Sequence, residues 1–388
     1  MTPFRSGNRF GKLIVIFLLL VIPLLYSNLF FESFELPKFI FFIIAIDVLF
    51  LVFVFGNLRK AKFNADLYDV LAIVWIVIMA GSALAAGNFW YSFWGGFFRH
   101  QGIFFYIHLV AMFIVLRRFC HKHEYLISYA LKCLIIASLI QSGIILLQWM
   151  QLKLGVDIIS YNGRPVGTIG QPNSAAGFIA VGYAVMLGHN FISKNKTYLI
   201  GALFCLLGIL ATRSLGGFLT VLVVSFIFLF RYLSSKNIKI LTLCVFFLLL
   251  LGVLYLGLAK EKITTDSLGN RRVESRLSIW QASITLFLKR PLVGYGAENL
   301  GLVFPSEYGG ASIDRAHNDF LDILLTGGIF LGIIYVWMVI AALYKTVSKR
   351  KMAPIFLALI AVLTRGLTEP SLIVNLIVFW LVILFALI

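Results

Sequence analysis

Apolar runs of about twenty residues, separated by short polar breaks, dominate this 388-residue chain. A bilayer core about 30 Å thick needs roughly 20 apolar residues per helix. On that ruler, spans are expected near 13–31, 39–56, 69–86, 101–116, 125–149, 172–191, 197–212, 215–231, 239–258, 319–344, 353–367 and 371–388. The pattern therefore predicts an all-α polytopic membrane protein of about twelve transmembrane helices, folded as a single membrane domain over 1–388. The last two runs are separated only by Gly366 to Pro370, which could instead form a re-entrant break. The first run follows a basic flank (Arg5, Arg9, Lys12), is long and lacks a small-x-small cleavage site, which reads as a retained signal anchor.

One interval breaks the pattern. Residues 260–318 form the longest hydrophilic stretch, an expected extracytoplasmic loop between spans nine and ten. It holds Arg271, Arg272, Arg276, Trp280, the turn Gly294-Tyr295-Gly296, and then Asp314-Arg315-Ala316-His317-Asn318. Arg276 to Leu288 has the pattern of an amphipathic helix ending at Lys289-Arg290-Pro291.

Composition agrees with the pattern and charge orients it. The chain is 61% hydrophobic with a mean hydropathy of +0.98, beyond what a soluble domain could bury. The net charge of +17 falls largely in alternate short loops, among them Arg59-Lys60, Arg117-Arg118 and Lys349-Arg350-Lys351. With both termini cytoplasmic, these loops all lie inside, as the positive-inside rule requires of a bacterial inner-membrane protein. Basic residues scattered over many loops do not form a nucleic-acid footprint. The four cysteines show neither disulfide nor zinc spacing.

The outer face is then the informative one. It collects Arg99, Arg164, Arg213, Arg271, Arg272, Arg276, Arg290, Arg315 and Arg365, where the topology rule disfavours cations. Asn88 to Gly102 is aromatic-rich and reads as an interfacial segment. Gly163 to Asn173 is rich in glycine and proline, an irregular backbone of the kind tolerated where it lines a cavity.

The guanidinium fork suits phosphate oxygens, which it binds through paired hydrogen bonds. His317 stands at the N-terminus of a span, where the helix dipole opposes the imidazolium and favours a proton acceptor. Asp314 could cap that helix or orient the ring. No cluster has metal-ligand spacing and no Ser or Cys sits in a nucleophile elbow. The chemistry these residues allow is a metal-independent one: proton abstraction by a base, with arginines stabilising a leaving diphosphate.

Three blocks make the sequence resemble the O-antigen ligase/polymerase family of lipid-linked glycan transferases. They are Arg164 to Asn173; Arg276-Leu277-Ser278-Ile279-Trp280 through Gly294-Tyr295-Gly296; and His317-Asn318 with Gly327, Gly328 and Gly332. Two places depart from the family pattern: Leu331 precedes Gly332 where the last glycine is usual, and Arg213 precedes Ser214 where Ser-Arg is common. The resemblance implies a GT-C-like, inverting glycosyltransferase without cofactor, active on the outer face of the membrane. Its donor would be an undecaprenyl-pyrophosphate-linked glycan and its acceptor a lipid, glycan or protein hydroxyl. By that analogy His317 would activate the acceptor, and Arg164 and Arg276 would hold the pyrophosphate. Arg99 is added from its placement alone. Ligase and polymerase activities are not separated by these residues. A transporter or flippase of a lipid-linked anion is the alternative; it predicts ionisable residues at mid-membrane depth, where Asp47 and Lys132 are the main ones.

Overall fold

A computed structural model describes residues 4–57, 65–156, 158–232, 236–260, 276–307 and 313–388. Arg59, Lys60, Lys62, Arg271 and Arg272 lie outside these residues. Helix α1 (Phe4–Ile16) runs through a π-helical turn into α2 (Ile22–Leu24). Then come α3 (Glu35–Asn57), α4 (Leu67–Ala85), α5 (Phe89–Trp94), α6 (Ile103–Lys122) and α7 (Tyr125–Lys153). A hairpin of β1 (Ser160–Tyr161) and β2 (Arg164–Pro165) precedes α8 (Pro172–Ser193), α9 (Thr197–Ala211), α10 (Leu215–Tyr232) and α11 (Lys236–Lys260). The described part of the hydrophilic interval holds α12 (Arg276–Lys289) and α13 (Leu300–Glu307). The chain continues with α14 (Asp319–Val347), α15 (Ala353–Gly366) and α16 (Ile373–Leu387).

Every stretch expected to span carries a helix. Among the described residues, seven helices are long and apolar enough to cross a membrane: Glu35–Phe55, Leu67–Ala85, Ile103–Lys122, Tyr125–Lys153, Pro172–Ser193, Leu215–Tyr232 and Asp319–Val347. Phe10–Leu24, Thr197–Ala211, Lys239–Gly252 and Ile373–Leu387 are shorter apolar stretches, and α15 is fourteen residues long. A polytopic membrane protein is the architecture this supports. The two closing helices are buried on nearly every side and form the centre of the bundle. α15 lies along α8, with Gly177 making room for the Arg365 side chain and Gly188 for Pro354, the close approach that small residues permit.

Two local features place the hydrophilic interval. The first is a break in α14. Gly328 has φ 69° and ψ −164°, a conformation open to glycine almost alone. The carbonyls freed there are not left bare. Leu325 O accepts from Tyr295 N at 2.7 Å, Thr326 O accepts from Gly296 N at 3.0 Å and from the Ser82 hydroxyl at 2.5 Å, and Ile329 N donates to Pro291 O at 2.8 Å. The Gly-Tyr-Gly turn thus docks on the break. A Cβ at Gly294 would lie 2.6 Å from Leu325 O, and one at Gly328 would lie 2.2 Å from Leu292 O. The second feature is a small apolar core of Ile279, Leu286, Tyr295, Leu300, Phe304 and Leu325, which seats α12 and α13 on α14.

Candidate active site

Glu369, in the loop joining α15 to α16, is the point on which three of the four predicted site residues meet. The Arg276 guanidinium pairs with its Oε1. Asn173 Nδ2 donates to the same oxygen at 2.7 Å. Asn173 Oδ1 in turn accepts from Arg164 Nη2 at 2.7 Å, while Arg164 Nε donates to Thr212 O at 2.8 Å. His317 Nδ1 stands 3.8 Å from Glu369 Oε2, beyond hydrogen-bond length. Glu369 is only 3% exposed, so a single buried carboxylate is surrounded by these donors.

The local sequence explains how each arrives. Asn162-Gly163 has φ values of 51° and 66°, as the two central positions of a type I′ hairpin require, and the turn delivers Arg164 on β2. Pro172 starts α8 with its fixed φ, and Asn173 follows. Gly216, second in α10, lies against the loop: a Cβ there would be 2.5 Å from Thr368 Oγ1 and 3.8 Å from Glu369 Cγ. Arg276 opens the described part of α12. The cap of α14 is Asn318, whose side chain accepts from Phe320 N and Leu321 N, so capping does not fall to Asp314. The starts of α8, α10 and α14 and the first described turn of α12 therefore bring residues to one loop, and a helix start favours an anion through its dipole.

His317 adopts φ 52°, a left-handed conformation uncommon for a residue with a Cβ. The surrounding contacts hold it. Asp319 binds the next-door loop through Ser371 N at 2.9 Å, Ser371 Oγ at 2.7 Å and Arg365 Nη2 at 2.6 Å. Asn318 Nδ2 reaches Leu367 O at 3.4 Å.

The outer arginines sort into two groups. Arg365 is neutralised by Asp319, and Arg315 by Glu298 with Gln101. Arg290 lies over the Tyr295 ring. Arg99 is given to Asp314, Nε to Oδ2 at 2.5 Å, and not to Glu369. That cation holds the Asp314 carboxyl below its ordinary value although burial pushes it up. Arg164 and Arg276 make up the second group, gathered at Glu369 directly or through Asn173. Burial lowers the proton affinity of Arg164, Glu369 raises it, and Arg213 and Arg276 lower it further.

Glu369 and Asn173 were not singled out by the sequence. A lone acid in Thr-Glu-Pro-Ser between two apolar runs carries no local pattern; the only signal was the irregular break itself. A separate cavity of about 40 Å³, room for roughly three waters, has Gln101, Tyr106, Arg315, Asp319, Asp322 and Ser371 in its wall, and neither His317 nor Glu369 lines it. The aromatics of 88–102 are largely outward, with Trp90, Trp94, Phe97 and Phe98 exposed. Asp47 is occupied by His108, Nε2 to Oδ1 at 3.2 Å. Among the described residues no three His, Cys, Asp or Glu side chains are placed to hold a metal ion.

Residues 200–336 match the family model described as O-antigen ligase. The match takes in Arg213, Arg276 and His317 but neither Arg164 nor Glu369. The chain is also similar to the ComP-specific O-oligosaccharyltransferase of Acinetobacter baylyi, at 23% identity over 227 residues. That alignment covers 54% of this chain and 41% of that protein, so the chain spans about two fifths of the length of its curated relative.

Proposed function

We propose that this chain, whose residues 200–336 belong to the O-antigen ligase family, transfers a glycan from a lipid diphosphate to an acceptor hydroxyl. Undecaprenyl diphosphate is the carrier that the family resemblance implies, and the outer face of the bacterial inner membrane is the place. The observation that carries the reading is the convergence of Arg276, and of Arg164 through Asn173, on the one carboxylate of Glu369, with a histidine beside it. Such donors suit an anion, and Glu369 is the one they hold.

In the reaction, His317 takes the proton of the acceptor hydroxyl. The oxygen attacks the anomeric carbon from the side opposite the leaving group. The bond to the diphosphate oxygen breaks and the electron pair leaves with the lipid diphosphate, so the configuration inverts. Arg164 and Arg276 bind the charge that develops on the leaving group. Glu369 faces the ring nitrogen Nδ1 and stabilises the imidazolium as it forms. No step calls for a metal. Arg99 serves at the rim, through Asp314, and not on the diphosphate. A lipid, a glycan or a protein can supply the hydroxyl; the relative's name makes a protein acceptor worth assaying first.

The test is His317→Ala in purified full-length protein, given lipid-linked glycan and each acceptor class. Transfer should fall by at least about 100-fold while the protein still inserts and melts normally. Undiminished transfer removes His317 as the base.

A further inference from the structure

We propose that Glu35 and Lys38, at the head of α3, are positioning residues: a charged brace that fixes the distance between the loop presenting Arg164 and the loop presenting Glu369. The inference rests on the diphosphate reading of the Glu369 site and deepens it. Both side chains are buried, Lys38 at 0% exposure and Glu35 at 4%. They do not hydrogen-bond each other. Lys38 Nζ donates to Phe34 O at 2.6 Å and to Thr168 O at 2.9 Å. Glu35 Oε2 accepts from Ile373 N at 2.9 Å. The two ions stand 3.9 Å apart, and Glu35 Oε1 accepts no hydrogen bond among the described residues. Thr168 lies between Arg164 and Asn173, and Ile373 is four residues past Glu369. One turn of helix therefore holds both loops by their main chain.

Each loop is pinned again beside the brace. Gln148 Oε1 accepts from Gly167 N at 2.8 Å, and the Phe34 ring fills the space a side chain at Gly170 would need. Gln101 Nε2 donates to Ser371 O at 2.9 Å. The brace is itself set by Glu32, whose carboxylate accepts from Phe34 N at 2.9 Å and Leu36 N at 2.6 Å. The charges are what need explaining. Two ions taken out of water are net stabilising only with close geometry and further hydrogen bonds. Here the pairing is loose, and the bonds go to the two loops. Such charge-assisted bonds are roughly twice as strong as neutral ones. Each ion thus grips a loop, and its partner keeps the buried charge balanced.

The experiment measures donor KM and kcat separately, with lipid-linked glycan and full-length protein in detergent. Lys38→Met keeps the stem and leaves Glu35 as a lone buried charge, so it should melt about 5 °C or more below wild type. Glu35→Gln/Lys38→Met removes both charges, and the glutamine still offers an oxygen to Ile373 N. This double variant should melt within about 2 °C of wild type. Its donor KM should nevertheless stay on the order of 10-fold high, with kcat changed less than about 3-fold, because Thr168 O is unheld while the Glu369 loop is not released. A pair that only supports the fold would recover KM together with Tm, and that result overturns the proposal. Adding Arg164→Ala to the double variant should raise KM no further than Arg164→Ala alone, since the brace acts through that arginine. A fully additive rise overturns it too. Arg164→Ala by itself tells the two readings apart. If it raises KM and the double variant does not, only this inference fails; if neither does, the diphosphate reading fails as well.

Discussion

Replacing Glu369 by glutamine separates the two duties this carboxylate has in the proposed mechanism. The side chain keeps its shape and loses its charge. The first consequence concerns His317, whose Nδ1 lies 3.8 Å from Oε2. At an effective dielectric near 20, an imidazolium and a carboxylate at that spacing attract by about 4 kcal/mol. His317 is one-third exposed, so water removes roughly half of this. About 2 kcal/mol of transition-state stabilisation is then lost, a fall of roughly 30-fold in turnover. The second consequence has the opposite sign. Glu369 competes with the diphosphate for Arg276 and, through Asn173, for Arg164. Removing a like charge about 5 Å from the bound diphosphate, at an effective dielectric near 40, tightens binding by about 1.7 kcal/mol, close to 20-fold. Transfer from lipid-linked donor, with inorganic pyrophosphate as competitor, reads both at once. The variant should turn over more slowly and be inhibited at lower pyrophosphate. Weaker inhibition, or unchanged turnover together with unchanged inhibition, would refute the reasoning.

Arg164→Lys should raise the donor KM almost as much as Arg164→Ala, on the order of 10-fold or more, because an ammonium cannot serve Thr212 O and Asn173 Oδ1 as the guanidinium fork does; a lysine variant with wild-type KM contradicts this. Gly328→Ala should cost about 3 kcal/mol or more, visible as a lowered Tm in detergent, since the new Cβ meets Leu292 O at 2.2 Å in a conformation closed to alanine. The Arg99–Asp314 pair is exposed on the acid side and should contribute only about 0.5 kcal/mol. Its pH dependence has a fixed sign: the folded carboxyl lies below its ordinary value of 3.8, so the contribution is present above that value and disappears as pH falls through the depressed one. Melts of wild type and Asp314→Asn should therefore differ at pH 6 and converge below pH 3.8; a gap that widens in acid is the wrong sign.

Helices were legible from their apolar runs, and α12 could be placed from its amphipathic pattern because local periodicity determines both. His317 could be named from its place at a helix start, and Arg164 and Arg276 from the blocks that carry the family resemblance; the structure brings all three toward Glu369. What joins them could not. Glu369 acts through contacts across more than ninety residues, and nothing in a lone Thr-Glu-Pro-Ser announces it. The break in α14 was equally hidden: Leu324 to Leu331 reads as one apolar stretch, and only the docked Gly294-Tyr295-Gly296 turn shows that two half-helices meet there. Of the two roles expected of Asp314, cap or ring orienter, the first is not taken up, for a related reason. Its proximity in sequence suggested the helix start, whereas Arg99, more than two hundred residues away, claims the carboxylate and Asn318 reaches the free N–H groups.

The docking of that turn has a mechanical consequence. Main-chain hydrogen bonds stitch the external segment to the broken helix on both sides of Gly328, so the element bearing Arg276 and the element bearing His317 travel as one piece. In the proposed mechanism the guanidinium on the leaving group and the proton acceptor therefore keep their spacing. Arg164 stands outside this unit, on β2, and is held instead by Thr212 and Asn173.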